Sequence, residues 1–140
     1  MIQDHLGHWI KGYNRALGTT NSFIAELWAF RDGLIIAKDL GLNNLIVELD
    51  ALSVVHMINS DTSNMLMEPL LFDCRSLYRE IPNKRIQDVY REANQCADAL
   101  ARLGSSVASS FAVFVVPLPM VVSLRASYEA GRFCNRLISN

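Results

Sequence analysis

"SFIAELWAFRDGLIIAKDLGLNNLIVELD", from Ser22 to Asp50, holds two hydrophobic periods in succession. In its first half Phe23, Leu27, Phe30 and Leu34 recur at helical spacing, which predicts a helix with one apolar stripe to bury. Thr19, Thr20, Asn21 and Ser22 offer N-caps ahead of it, and Gly41 suits the left-handed residue that closes a helix. The second half changes to a period of two. Leu45, Val47 and Leu49 share one face of a short buried strand, leaving Glu48 and Asp50 on the other. One residue does not suit this scheme: Glu26 sets a carboxylate among the apolar neighbours of the helix.

The flanking sequence extends the pattern. Asp4 to Gly7 reads as a turn, and Trp9 to Gly18 as a strand paired back onto a Met1–Ile2 stub. A helix is predicted from Ala51 to about Ile58, then a polar, turn-rich stretch from Ser60 to Glu68. Leu70, Cys74, Leu77 and Ile81 form a further helical stripe that stops at Pro82. "KRIQDVYRE" has strand character, and "NQCADALARLG" reads as a helix with Asn94 as N-cap and Gly104 as the residue after its end. Strands alternating with helices predict an α/β fold, a mixed sheet with helices packed on it. Residues 1–104 form this unit, and residues 105–140 an apolar, Pro-containing C-terminal extension, packed on the domain or partly loose.

Composition sets the outer limits. The chain of 140 residues is 51% hydrophobic and 19% charged, the profile of one folded domain with a core of its own. A net charge of −1 provides no global pull toward nucleic acid or anionic lipid, so such binding would have to come from a local patch. The longest apolar run, Phe111 to Val116, is far shorter than the roughly 18 residues of a membrane span, so no membrane segment is expected. Cys74, Cys96 and Cys134 show no metal-ligand spacing, and the N-terminus lacks the pattern of a signal peptide. Reduced thiols in a cytosolic or nuclear protein, not a secreted one, are the expectation.

Three acids stand where this architecture would bring them together: Glu26 early in the first long helix, Asp50 closing a strand, and Asp98 in the last predicted helix. Strand ends and neighbouring helix termini of an open α/β sheet form its usual crevice. Carboxylates gathered there suit Mg²⁺ or Mn²⁺, hard cations that take oxygen ligands, and a pair of such ions can clamp a scissile phosphate. Each acid also has an ordinary explanation. Glu26 would be favoured by the positive end of its helix, Asp50 by capping the helix that follows it, and Asp98 by pairing with Arg102 one turn on.

The order and context of these acids resemble a known family. AEL with Glu26, the strand-ending ELD with Asp50, and REAN..AD with Asp98 look like the plant, retroelement-related ribonuclease H domains of type 1, over roughly Met1 to Gly104. The resemblance implies a ribonuclease H-like sheet flanked by helices, with Glu26, Asp50 and Asp98 as three of the four catalytic, metal-binding carboxylates. It also implies a nucleic-acid partner, cleavage of the RNA strand of an RNA/DNA hybrid, and no small-molecule substrate. Glu26 is then tolerated on its helix because it faces the crevice.

Two features depart from the family pattern. Its first strand, carrying a fourth acid in a DG pair, has no counterpart ahead of the Met1–Ile2 stub, so the sheet is expected to lack its first central strand. Unpaired backbone groups would be left along Asn44 to Leu49 and on the opening residues. Asp88 stands where related sequences carry a His. These departures predict impaired activity, and their alternative is a non-catalytic module that binds nucleic acid or protein. Elsewhere, Trp28 is expected in the core, and Lys84, Arg85, Arg91 and Arg102 are candidates for phosphate contact or for a solvated basic face.

Overall fold

The computed structural model describes residues 1–61, 63, 65–89, 95–106, 110–129 and 137–139. Its elements, in chain order, are β1 (Ile2–Asp4), β2 (Trp9–Arg15), α1 (Ser22–Asp39), β3 (Asn44–Leu49), α2 (Leu52–Asn59), α3 (Glu68–Glu80), β4 (Asn83–Asp88), α4 (Gln95–Ser106), β5 (Phe111–Phe114), α5 (Pro119–Glu129) and β6 (Leu137–Ser139). Six strands form one sheet in the order β4-β3-β6-β1-β2-β5.

The Ser22–Asp50 unit folds as its periodicity predicts. Asn21 caps α1, its side chain accepting from the Ile24 N–H at 2.8 Å, and Gly41 follows the helix with φ +67°, a conformation that costs glycine nothing. In β3, Leu45, Val47 and Leu49 are all buried. They join Leu27, Phe30 and Leu34 of α1, Val54 and Ile58 of α2, and Leu71 and Cys74 of α3 in the main core. A second cluster of Met1, Cys96, Leu100 and Val121, with Trp9 packed against it, brings in α4 and α5. Alternation along the strands feeds both clusters: Ile2 lies in the first and Met1 in the second.

Three local expectations change. Gly104 lies inside α4 rather than beyond it. The reason is close packing on β2: a Cβ at position 104 would stand 3.1 Å from the Arg15 carbonyl oxygen and 3.2 Å from the Asn14 Cβ. Trp28 is half-buried rather than core, and its ring is flanked by two guanidinium groups, Arg15 at 4.9 Å and Arg31 at 5.4 Å from the centroid. Asn94, Arg91 and Cys134 lie outside the described residues.

The segment after Gly104 contributes two strands to the sheet. β5 extends the edge by pairing antiparallel with β2, Gly12 opposite Phe114 through Arg15 opposite Phe111. β6 occupies the centre. It runs parallel to β1, with Ile2 opposite Leu137, and antiparallel to β3, with Val47 opposite Leu137 and Leu45 opposite Ser139. The gap expected beside β3 is therefore filled, over the length of three residues, by a strand from the far end of the sequence.

Candidate acid site

Asp50 follows the last residue of β3. It does not cap α2: the N-cap is Ala51, with no side-chain cap hydrogen bond. This removes the ordinary explanation for Asp50, and its interactions lie with Glu26 instead. Glu26 is not in the first turn of α1 either, so the helix dipole, which acts within that turn, does not account for it.

The Glu26 carboxyl is largely buried and meets Asp50 twice, through the Asp50 backbone N–H and through its side chain, with the charge of Asp98 also acting on it. Burial pushes the Glu26 carboxyl up to about 7; the neighbouring Asp50 charge and a hydrogen bond to the Asp50 side chain add to the rise, and Asp98 adds further. The backbone N–H of Asp50 opposes it by favouring the ionised form. Asp98 lies in the first turn of α4. Two acids distant in sequence thus act on Glu26 of α1: Asp50, which follows β3, and Asp98 of α4. Among the described residues no three His, Cys, Asp or Glu side chains stand close enough together to enclose an ion as placed. The near pair is Glu26 and Asp50, with Asp98 within electrostatic reach.

The donor chemistry fits a hard divalent cation. Carboxylate oxygens are the ligands such ions favour, and an acid whose proton is held up to about pH 7, first by burial and then by an acidic neighbour, is a place where a cation can replace that proton. Asp88 closes β4 at the same end of the sheet, opposite Leu49 in the parallel β3–β4 register, and the Val89 N–H donates to the Leu49 carbonyl at 2.8 Å.

A separate cleft of about 580 Å³ lies between β2, α1 and α4, lined by Asn14, Arg15, Ala25, Trp28 and Leu100 among others. None of the three acids lines it. Beside it runs a network that sequence reasoning missed. Asp32, only 2% exposed, accepts from Arg15 Nε at 2.6 Å and Nη2 at 2.9 Å, and lies 3.5 Å from Arg31 Nη1. Arg31 in turn donates to Asp73 of α3 at 3.2 Å. Asp32 lies across the helix from the Phe23, Leu27, Phe30 and Leu34 stripe of α1, so the helical periodicity gave no sign of its burial. Of the basic residues, Lys84 donates to the Arg79 and Ile81 carbonyls at 3.1 and 2.9 Å, while Arg85 and Arg102 are exposed.

Residues 1–104 match the family described as reverse transcriptase-like. A provisionally named ribonuclease H protein of Arabidopsis thaliana is 31% identical over 129 residues, covering 89% of this chain and 20% of its own length. The chain therefore spans about one fifth of that relative. Among solved structures, the N-terminal RNase H domain of Rv2228c from Mycobacterium tuberculosis, determined as a fusion with maltose binding protein, superposes with a TM-score of 0.61 at 23% identity. The superposition covers 66% of this chain and 68% of that one. The likeness fixes the fold: a mixed sheet and its helices, arranged as in ribonuclease H.

Proposed function

Given that the chain belongs to the reverse transcriptase-like family and has a ribonuclease H-like fold, we propose that it binds RNA/DNA hybrids through a Mg²⁺- or Mn²⁺-dependent acid site of Glu26, Asp50 and Asp98. Hydrolysis of the RNA strand is weak. The observation that supports the site is the contact of Glu26 with both the backbone and the side chain of Asp50, beside Asp98, at the end of β3. Glu26 and Asp50 would hold the ion and Asp98 would complete its shell. A bound divalent ion supplies Lewis-acid charge to the scissile phosphate. The Asp50 N–H orients the Glu26 carboxylate, and the proton that Glu26 holds near neutral pH must leave before an ion binds, so binding strengthens as pH rises. Exposed Arg85 and Arg102 are available to the phosphate backbone.

Weak hydrolysis follows from what stands at the centre of the sheet. β6 has the sequence Leu-Ile-Ser and brings no carboxylate to the crevice, and Asp88 ends β4 with an acid where a base would assist proton transfer. Two-ion catalysis depends on ligands held to a fraction of an ångström, and a smaller set positions the ions less firmly. The same observation favours a second reading, in which the domain binds hybrid without cutting it.

A labelled RNA/DNA hybrid incubated with the chain in Mg²⁺ tests both. Salt-sensitive binding is expected, with cleavage slow or undetectable and any residual cleavage abolished by Glu26→Gln. Rapid cleavage by the parent would refute the claim of weak hydrolysis. Cleavage unchanged in Glu26→Gln and Asp50→Asn would remove these residues from the site.

A further inference from the structure

The two edges of β2 are paired over different lengths. β1 lies against its first part, Ile2 opposite Lys11 and Gln3 opposite Trp9, and β5 lies against its second part on the other edge, Gly12 to Arg15. Past Lys11, no described strand continues along the edge that β1 occupies. The Ala16 N–H donates to the Ser110 carbonyl at 3.0 Å, so by the alternation of an antiparallel ladder Gly12 and Asn14 also turn their peptide groups toward β5. Tyr13 and Arg15 therefore turn theirs to the open edge. Successive side chains of a strand point to opposite faces. The Tyr13 hydroxyl and the Arg15 guanidinium reach Ala29 and Asp32 of α1, whereas a Cβ on Gly12 would meet Leu100 of α4 at 3.6 Å. The cleft of about 580 Å³ is lined by Tyr13, Asn14 and Arg15 together, with α1 on one side and α4 on the other. It therefore opens onto the backbone edge of β2.

A row of N–H and C=O groups at strand spacing is complemented by another extended backbone. Asn14 adds a requirement of its own. It is 6% exposed and lines the cleft, and its Nδ2 has no acceptor among the described residues, so an incoming acceptor would satisfy a buried donor. Because Asn14 bonds toward β5, the residue facing it across the open edge would form a non-hydrogen-bonded pair, in which side chains stand closest. The small side chains of Ala25 and Ala29, beside Trp28, leave room for bulky apolar groups at the positions opposite Tyr13 and Arg15. Arg15 is already neutralised by Asp32, which favours an uncharged occupant over a phosphate. We infer that the cleft accepts an extended peptide segment of a partner protein, laid antiparallel to β2 in line with β1, with an acceptor side chain opposite Asn14 and apolar side chains opposite Tyr13 and Arg15.

The probe is a fluorescent peptide, acetyl-Val-Leu-Asn-Leu-Val-amide, titrated into the unaltered chain and followed by polarisation and by amide exchange in NMR. In the free chain the Tyr13 and Arg15 amides are expected to exchange faster than those of Gly12 and Asn14, which β5 covers. Saturating peptide should slow Tyr13 and Arg15 selectively. Methylating the amide nitrogens of both Leu residues keeps the peptide apolar and uncharged but removes the donors that face β2, and should weaken binding about tenfold or more. Replacing the central Asn by Leu should weaken it several fold, because the Asn14 amide then loses its acceptor. Equal affinity for the methylated peptide would overturn strand pairing in favour of apolar contact alone. Absence of binding, or Tyr13 and Arg15 amides already as slow as those of Gly12 and Asn14 in the free chain, would overturn the open edge itself.

Discussion

Asp32→Ala is expected to destabilise the fold by about 3 kcal/mol, the lower end of the range for removing one partner of a buried ion pair. Asp32 is 2% exposed and binds Arg15 in a bidentate fork. The Arg15 guanidinium is itself held between two rings, its Cζ 4.9 Å from the Trp28 centroid and 4.8 Å from that of Phe111. With Asp32 gone, that guanidinium stays in a partly buried, aromatic setting with its strongest acceptor lost, and the attraction of Arg31 also falls away. Because Arg15 retains 26% exposure, water relieves part of the penalty, which is why the lower end applies. Replacing both partners with apolar residues, Arg15→Met with Asp32→Leu, should recover much of the loss, since neither charge is then stranded. Urea unfolding of the parent, the single variant and the double variant measures the cycle. A cost below about 1 kcal/mol for Asp32→Ala, the range of surface pairs, would show that the network does not join β2 to α1 energetically.

The second large effect is a dependence of stability on pH. Glu26 is raised from 4.5 in the unfolded chain to about 7 in the fold, first by burial and then by Asp50. Between these values the native state binds the proton more tightly than the unfolded state. The contribution of Glu26 is therefore complete below about pH 4.5 and is lost as pH rises through about 7, by on the order of 3 kcal/mol. Glu26→Gln removes the ionisation while keeping a side chain of the same shape, so in metal-free buffer the parent should weaken relative to the variant between pH 5 and 8. Other titrating groups act on both proteins alike and cancel in the difference. Urea midpoints at four pH values provide the comparison, and parallel profiles would place Glu26 in an ordinary solvated setting.

The sequence made α1 and β3 legible because a change of period from 3.6 to 2 needs only local information, and the burial of Leu27, Leu34, Leu45 and Val47 follows from it. The pairing of Glu26 with Asp50 was legible only as an expectation carried by motif order, since a strand-ending Asp before a helix reads equally well as a cap. That ambiguity is resolved by geometry, the cap position falling at Ala51. The Arg15–Asp32 fork joins residues 17 apart on different elements and leaves no local pattern. Gly104, placed after a helix by its residue type, lies within one because β2 packs too closely for a Cβ. The central position of β6 was least accessible of all. Leu137–Ser139 has no turn or amphipathic signature of its own, and its partners Ile2–Asp4 lie at the opposite end of the sequence.

Calorimetric titration of Mn²⁺ into the parent chain, Asp50→Asn and Asp98→Asn at pH 8 tests the acid site most directly, free of any requirement for turnover. Measurable binding by the parent, weakened about tenfold or more by each substitution as charge leaves the ligand set, is the predicted result. Equal Mn²⁺ affinity in all three proteins would contradict it, leaving Glu26 and Asp50 as a buried hydrogen-bonded pair with no part in holding an ion.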